Sequence, residues 1–216
     1  AYNATKDIPI VFTAVTDPVA DNLVASLENS GNNLTGTSDM ADIKEQLDLY
    51  TKVLPDMKTL GVIYTTSETN SVNQVNILKE LAPKYNLTIK EIGIANINEI
   101  SQNLNSALGD IDALYAPTDN NVAASYEQVA QIALSKNVPV LGAEPAVVEV
   151  GGLISKGIDY FELGKMAGEK AALVLDGKKP SEIPVETMPE LAITINTAAA
   201  DKLGIKSTDR LRGLEN

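Results

Sequence analysis

The stretch TLGVIYTTSETNSVNQVNILKELAPKYNLTIKEIGIA, residues 59–95, decides the fold. Residues 59–65 are a short apolar run that predicts a strand. Residues 71–85 carry helical spacing, and residues 87–95 return to a strand pattern. The alternation continues outward on both sides. Downstream, 98–109 reads as helix, 111–117 as strand, 121–137 as helix and 138–144 as strand. Upstream, DIKEQLDLYTKVL (42–54) repeats Ile43, Leu47, Tyr50 and Leu54 at three- and four-residue steps, and Pro55 ends it. Further back, IPIVFTAV (8–15) reads as strand and VADNLVASLE (19–28) as helix. Strands that are apolar almost throughout, separated by helices, mark a parallel sheet covered on both faces. The predicted class is α/β, doubly wound.

Composition narrows the chemistry. The 216 residues, 44% of them hydrophobic, suffice for one large domain or two small ones. A net charge of −12 with no run of Lys or Arg argues against nucleic acid and anionic membrane surfaces as partners. Cysteine and histidine are both absent. Disulfides, thiolate nucleophiles, Cys-ligated zinc and every Ser-His or Cys-His arrangement are thereby excluded. No apolar run approaches a membrane span, and no signal peptide is present in these residues. Neither a P-loop nor GxGxxG occurs, so nucleotides are unsupported and no cofactor is expected.

Three strand ends follow one plan. VFTAVTDPV (11–19), VIYTTSETNSV (62–72) and ALYAPTDNNV (113–122) each run from an apolar strand through Thr or Ser and an acidic residue into a helix start. Ligands of open parallel sheets bind beyond the carboxyl ends of the strands, where helix N-termini offer N–H groups. For any one of these turns, helix capping is a sufficient explanation. Their repetition on one sheet, with several polar residues in each loop, favours a polar ligand site. Glu144 stands at a further strand end, before Pro145. Asp159 and Tyr160 precede a helix predicted over 160–175, where Asp159 serves equally as cap or ligand contact. Gly164 and Gly168 on that helix read as close helix packing.

Taken together, IPIVFTAVTDPVADNLVASLENSGNNLTGTSD, GVIYTTSETNSV, DALYAPTDNNV and GIDYFELGKMAGEKAALVLDGKKPSEIPVE resemble the ABC-importer substrate-binding proteins, in the group that includes the tryptophan/tyrosine-binding type of Gram-positive bacteria. The resemblance covers nearly the whole chain. It implies a periplasmic-binding-protein-like fold: two Rossmann-like lobes with parallel sheets, joined by three crossings and closing on a ligand in the cleft between them. On that plan residues 1–35 and 153–180 make a partial first lobe, and 40–146 with 183–216 make the second. The first lobe then has one strand, or two, with two helices, too few to cover a parallel sheet. The chain is therefore expected to be an N-terminally trimmed form of a longer protein.

By the same resemblance the function is binding, without catalysis, of a small amino acid-like ligand of aromatic type. Ser67, Asn70 and Ser71, at a helix N-terminus, suit the ligand carboxylate. Asp119 and Glu144 suit its ammonium, as does Asp159 from the other lobe. Thr16 and Asp17 contribute from the first lobe, and Tyr160 or Phe12 stacks on an aromatic ring. Thr118 and Asn120 share capping and contact, while Asp119 is expected to face the ligand. The implied partner is an ABC permease, and the implied location extracytoplasmic: periplasmic, or at the cell surface on a lipid anchor. Alternatives are a sugar or nucleoside receptor, the sensing domain of a regulator, a glycoside hydrolase using Asp119 and Glu144, and a Ca²⁺ or Mg²⁺ site from Asp17, Glu68, Asp119 and Glu144. No EF-hand spacing supports the last, and no helix-turn-helix segment supports DNA reading.

Overall fold

A computed structural model describes residues 1–205 together with 211 and 214. In chain order these form β1 (Ile10–Phe12), β2 (Leu34–Ser38), α1 (Ile43–Val53), β3 (Thr59–Thr65), α2 (Thr69–Leu81), β4 (Thr88–Ile94), α3 (Ile100–Ala107), β5 (Ala113–Ala116), α4 (Asn120–Ala123), α5 (Tyr126–Ser135), β6 (Val140–Gly142), α6 (Pro145–Glu149), β7 (Ile154–Gly157), α7 (Tyr160–Leu175), β8 (Glu186–Thr187), β9 (Ala192–Ile195) and α8 (Thr197–Lys202). Two units result, each drawing on separated stretches. Unit 1 comprises Ala1–Ala41 and Ile158–Leu191, and unit 2 comprises Asp42–Gly157 and Ala192–Asn216.

Unit 2 carries a six-stranded sheet in the order β4-β3-β5-β6-β7-β9. Alternate residues of β3 point to opposite faces, as the pleat requires. Leu60 and Val62 join Leu47, Tyr50, Val75 and Leu78 in one apolar cluster. Ile63 joins Ile92, Ile94, Leu104, Leu114 and Val129 in the other. The sheet is parallel from β4 to β7, and β9 runs antiparallel to β7. From β3 the chain moves outward to β4 and then returns to β5 on the other side of β3. The sheet therefore has its switch point between β3 and β5, where ligands of such sheets bind.

Polar side chains bolt α1 to this sheet from within. Tyr50, fully buried, donates to the Gly142 carbonyl at 2.6 Å and accepts from the Lys156 N–H at 3.2 Å. Tyr115 donates to Gln46 Oε1 at 2.6 Å, and Gln46 Nε2 donates to the Lys156 carbonyl at 2.7 Å. Burial pushes both phenols well above their ordinary pKa, so each hydroxyl stays a proton donor.

Unit 1 is built on a parallel three-stranded sheet, β1-β2-β8, with α7 packed against β1 and β2. A Cβ on Gly36 would meet the Phe12 carbonyl oxygen at 2.2 Å, so β1 and β2 pair closely only because position 36 is glycine. Thr35 Oγ1 donates to the Ile183 carbonyl at 2.8 Å. Lys170 is 4% exposed and ties α7 to β8, donating to the Pro184 carbonyl at 2.8 Å and to Glu186 at 2.6 Å.

Four expectations are corrected. Residues 19–28 form no helix: the turn after Pro18 ends at Asn22, whose φ of +55° is left-handed, and the N–H groups of Leu23 and Val24 both return to the Pro18 carbonyl. The predicted helix over 121–137 is two helices, α4 and α5, parted at Ala124 and Ser125. Gly164 and Gly168 are exposed, and a Cβ at either position would meet nothing within 4 Å, so they mark no helix contact. The unit boundaries also move. β7 pairs with β6 and β9 and so belongs to unit 2, whereas β8 pairs with β2 and draws 183–191 into unit 1, which has three strands and one α-helix.

Tyr50→Phe leaves the Gly142 carbonyl and the Lys156 N–H without their shared partner. We expect a stability loss of about 1–3 kcal/mol, read from the urea midpoint with the slope unchanged.

Candidate functional site

At the switch point of unit 2, the loops following β3 and β5 are cross-linked in layers. Asp119 lies deepest, 1% exposed. It accepts from the Thr65 N–H at 2.6 Å, from Thr65 Oγ1 at 2.8 Å and from the Val122 N–H at 3.0 Å, the last bond capping α4. Above it, Glu68 accepts from the Asn120 N–H at 3.0 Å and from the side-chain amides of Asn120 and Asn121 at 2.9 and 3.2 Å. On the flank, Asn70 Nδ2 donates to the Thr118 carbonyl at 2.8 Å, and Gln74 both donates to that carbonyl and accepts from the Thr118 N–H. Ser71, fully buried, donates to the carbonyls of Glu68 and Thr65.

The structure thus brings Ser67, Asn70, Ser71, Thr118, Asp119 and Asn120 together on one sheet edge, but not in equal roles. Both carboxylate oxygens of Asp119 accept bonds inside the unit, out of solvent. In this structure it welds two strand ends. Ser71 and the Asn70 amide are likewise spent on the frame, while Ser67 is exposed. Glu68 occupies the N-cap position of α2 without capping it, because its carboxylate is turned to α4. The N-terminus of the 13-residue α2, with no acidic residue in its first turn, keeps the positive end of its dipole at this edge. Such an end can receive a carboxylate. Glu144 stands half-buried beyond β6, and its side chain does not cap the helix it precedes.

The carboxyl edge of the unit 1 sheet is assembled differently. Ala14, just past β1, has φ +54°, a left-handed conformation costly for a residue with a Cβ. Thr16 is buried, and its carbonyl accepts from Ser38 Oγ at 2.7 Å. Asp17 accepts from the Ala20 N–H at 2.9 Å. Burial, aided by the nearby Asp17 charge, holds the Asp21 carboxyl above its usual range. Asp159 caps α7 by accepting from the N–H groups of Phe161 and Glu162 at 2.9 and 3.1 Å. Tyr160, 40% exposed, donates to Asp39 Oδ2 at 3.0 Å, and Phe161 beside it is 76% exposed. Phe12 lies over Gly36 in the apolar cluster of Val24, Leu34 and Val185.

Asp39, Thr65 and Gln74 escaped the sequence reading as site or frame residues, and Glu68 entered it only as a candidate metal ligand. For Asp39 the obstacle was its strand. LTGTS in β2 is wholly buried yet lacks an apolar pattern, so its carboxyl end went unrecognised. Among the described residues, no group of three or more His, Cys, Asp or Glu side chains is placed to hold a metal ion, and no helix is long and apolar enough to cross a membrane.

Comparison with known proteins adds a second line of findings. Residues 1–214 match the family model for ABC transporter substrate binding proteins. A tyrosine-binding protein of Clostridioides difficile is 44% identical across 100% of this chain and 63% of its own length. The chain spans only about three fifths of the curated relatives it matches, 63% of one and 59% of another. A solved ABC domain from Streptococcus pneumonia, in complex with L-Trp, is 35% identical, with a TM-score of 0.93 over 100% of this chain and 75% of that one. A ligand-free, open substrate-binding protein with adhesive properties from Clostridium difficile is 44% identical, with a TM-score of 0.76 over 97% of this chain and 72% of that one.

Asp119→Asn replaces one acceptor oxygen with an amide donor that faces N–H or O–H donors. We expect it to lower stability by about 1.5–3 kcal/mol, the range for bonds to a charged group, and to speed hydrogen exchange at Thr65 and Val122. Unchanged thermal unfolding would remove Asp119 from the frame.

Proposed function

Because the chain belongs to the family of ABC transporter substrate-binding proteins, we propose that it serves an importer as the extracytoplasmic receptor for an aromatic amino acid. In the manner the family resemblance implies, the loaded form is presented to a membrane permease. The observation that carries the ligand class is the 44% identity, over the whole of this chain, with a tyrosine-binding protein. The L-Trp complex of a 35% identical domain points the same way.

The geometry of unit 2 is compatible with a zwitterion. An amino acid carries a carboxylate and an ammonium, each costly to desolvate without a partner. The α2 N-terminus, left without a side-chain cap and flanked by exposed Ser67, supplies oriented N–H groups for the carboxylate at no cost in added charge. Glu144, on the same carboxyl edge of the sheet, supplies negative charge. In unit 1, the exposed aromatic pair Tyr160 and Phe161 at the start of α7 offers faces for stacking on an aromatic side chain. A net charge of −12 sets the protein against nucleic acid as a partner. A cell-surface lipid anchor or a periplasmic location both fit the proposed role.

A thermal-shift screen over the twenty amino acids, common sugars and nucleosides tests the proposal. L-Tyr or L-Trp at about 100 times Kd should stabilise the protein by about 2.7 kcal/mol, which for a chain of this size raises Tm by several degrees. A rise with sugars or nucleosides and none with any amino acid would refute it.

A further inference from the structure

One carboxylate is left incomplete by the frame. Asp39, just beyond β2 on the carboxyl edge of the unit 1 sheet, is 4% exposed. Its Oδ2 accepts from the Tyr160 hydroxyl at 3.0 Å, while Oδ1 is closed to solvent and has no hydrogen-bond partner. Among the described residues, the ion pairs formed by lysine leave Asp39 aside. Burying a charge strips its water, and one neutral hydroxyl returns only part of that loss. Asp119 shows how this fold completes a buried carboxylate when its role is structural: three donors on two oxygens.

Other buried atoms without hydrogen bonds do not compete. Asn33 Oδ1 lies before the opposite, amino-terminal end of β2, and Ser155 Oγ lies inside the larger sheet in β7. Both are neutral. Asp39 alone among these three combines charge, burial and a place at the strand end where ligands of parallel sheets sit. The backbone beside it is fixed as well. Ser38 Oγ holds the Thr16 carbonyl, and Val15 N–H donates to the Thr37 carbonyl at 3.3 Å.

We propose that Asp39 receives the ammonium group of the bound amino acid, with Tyr160 as the positioning residue that orients its carboxylate. This rests on the reading of the protein as an amino acid receptor and names the group that selects for a free amine. An ammonium brings a full positive charge and N–H donors, and one of them completes Oδ1 with a charge-assisted bond. Because Oδ1 is covered in this conformation, binding requires a rearrangement that uncovers it. The ligand class becomes α-amino acids with an unblocked amino group, and deaminated or N-acylated analogues are rejected.

Isothermal titration of the full chain tests this with L-tyrosine, L-tryptophan and the deaminated analogues 3-(4-hydroxyphenyl)propionate and indole-3-propionate. The unmodified protein should prefer each amino acid to its deaminated analogue by at least tenfold. Asp39→Asn should lose at least tenfold in affinity for the amino acids, keep its affinity for the analogues within threefold, and unfold in the ligand-free state at the same or a higher temperature. Tyr160→Phe should show a smaller, several-fold loss confined to the amino acids. Equal binding by Asp39→Asn, an equal loss for amino acids and analogues, or a variant that fails to fold or melts several degrees lower each overturns the assignment. Amino acid binding that survives Asp39→Asn unchanged removes Asp39 and leaves the receptor reading standing. A protein that binds none of the twenty amino acids removes both.

Discussion

A parallel sheet that changes direction has a seam, because the strands on either side of the switch point send their chains away from each other. In unit 2 that seam is closed by the carboxylate of Asp119, set between the ends of β3 and β5. Bonds from N–H and O–H donors to an ionised acceptor are shorter and stronger than neutral ones, and burial strengthens them further. With the seam closed, Glu68 can reach across to Asn120 and Asn121, and Asn70 and Gln74 can hold Thr118. The second layer has no anchor of its own. Apart from buried Gln74 its members are partly or fully exposed, and their bonds are the kind that water competes for. The shape of the whole edge therefore depends on one side chain beneath it.

Acidic and amide residues in this chain are used first as caps. Asp42 accepts from the N–H groups of Lys44 and Glu45 at the start of α1, Asp159 does the same for α7, and Asn196 accepts from the Ala199 N–H at the start of α8. These bonds satisfy donors that every helix start leaves open. A polar residue at a strand end is thus ordinary here, and such residues differ in how far their hydrogen bonds are completed by the chain. Both oxygens of Asp119 have donors; Oδ1 of Asp39 has none. The two acids sit at equivalent places on two different sheets, yet only one has been completed by its own chain.

Much of the architecture was legible from the residues. The strand–helix–strand stretch at 59–95 reads directly, because its apolar spacing is set by the pleat and the helical turn, both local properties. Residues 160–175 were bounded correctly by Asp159 and the spacing that follows it. The failures are also local in origin. At 19–28 the helical spacing of Leu and Val was overridden by Asn22, one of the few residues that tolerates a left-handed backbone. β2 lacks an apolar pattern because its buried positions after Leu34 are Thr, Gly and Ser, and the Thr35 hydroxyl is satisfied by the carbonyl of Ile183, 148 residues away along the chain.

The residues by themselves determined the class, most of the order of elements outside β2 and residues 19–28, and the absence of thiol and imidazole chemistry. Only the tertiary structure decided which acids at the strand ends have both oxygens occupied by donors. Thr65 and Asp119 are 54 residues apart in sequence and 2.6 Å apart in space. A carboxylate's availability is fixed by the donors that folding places around it, and those donors come from other strands. Periodicity reports which way a side chain points; it carries no record of what that side chain meets.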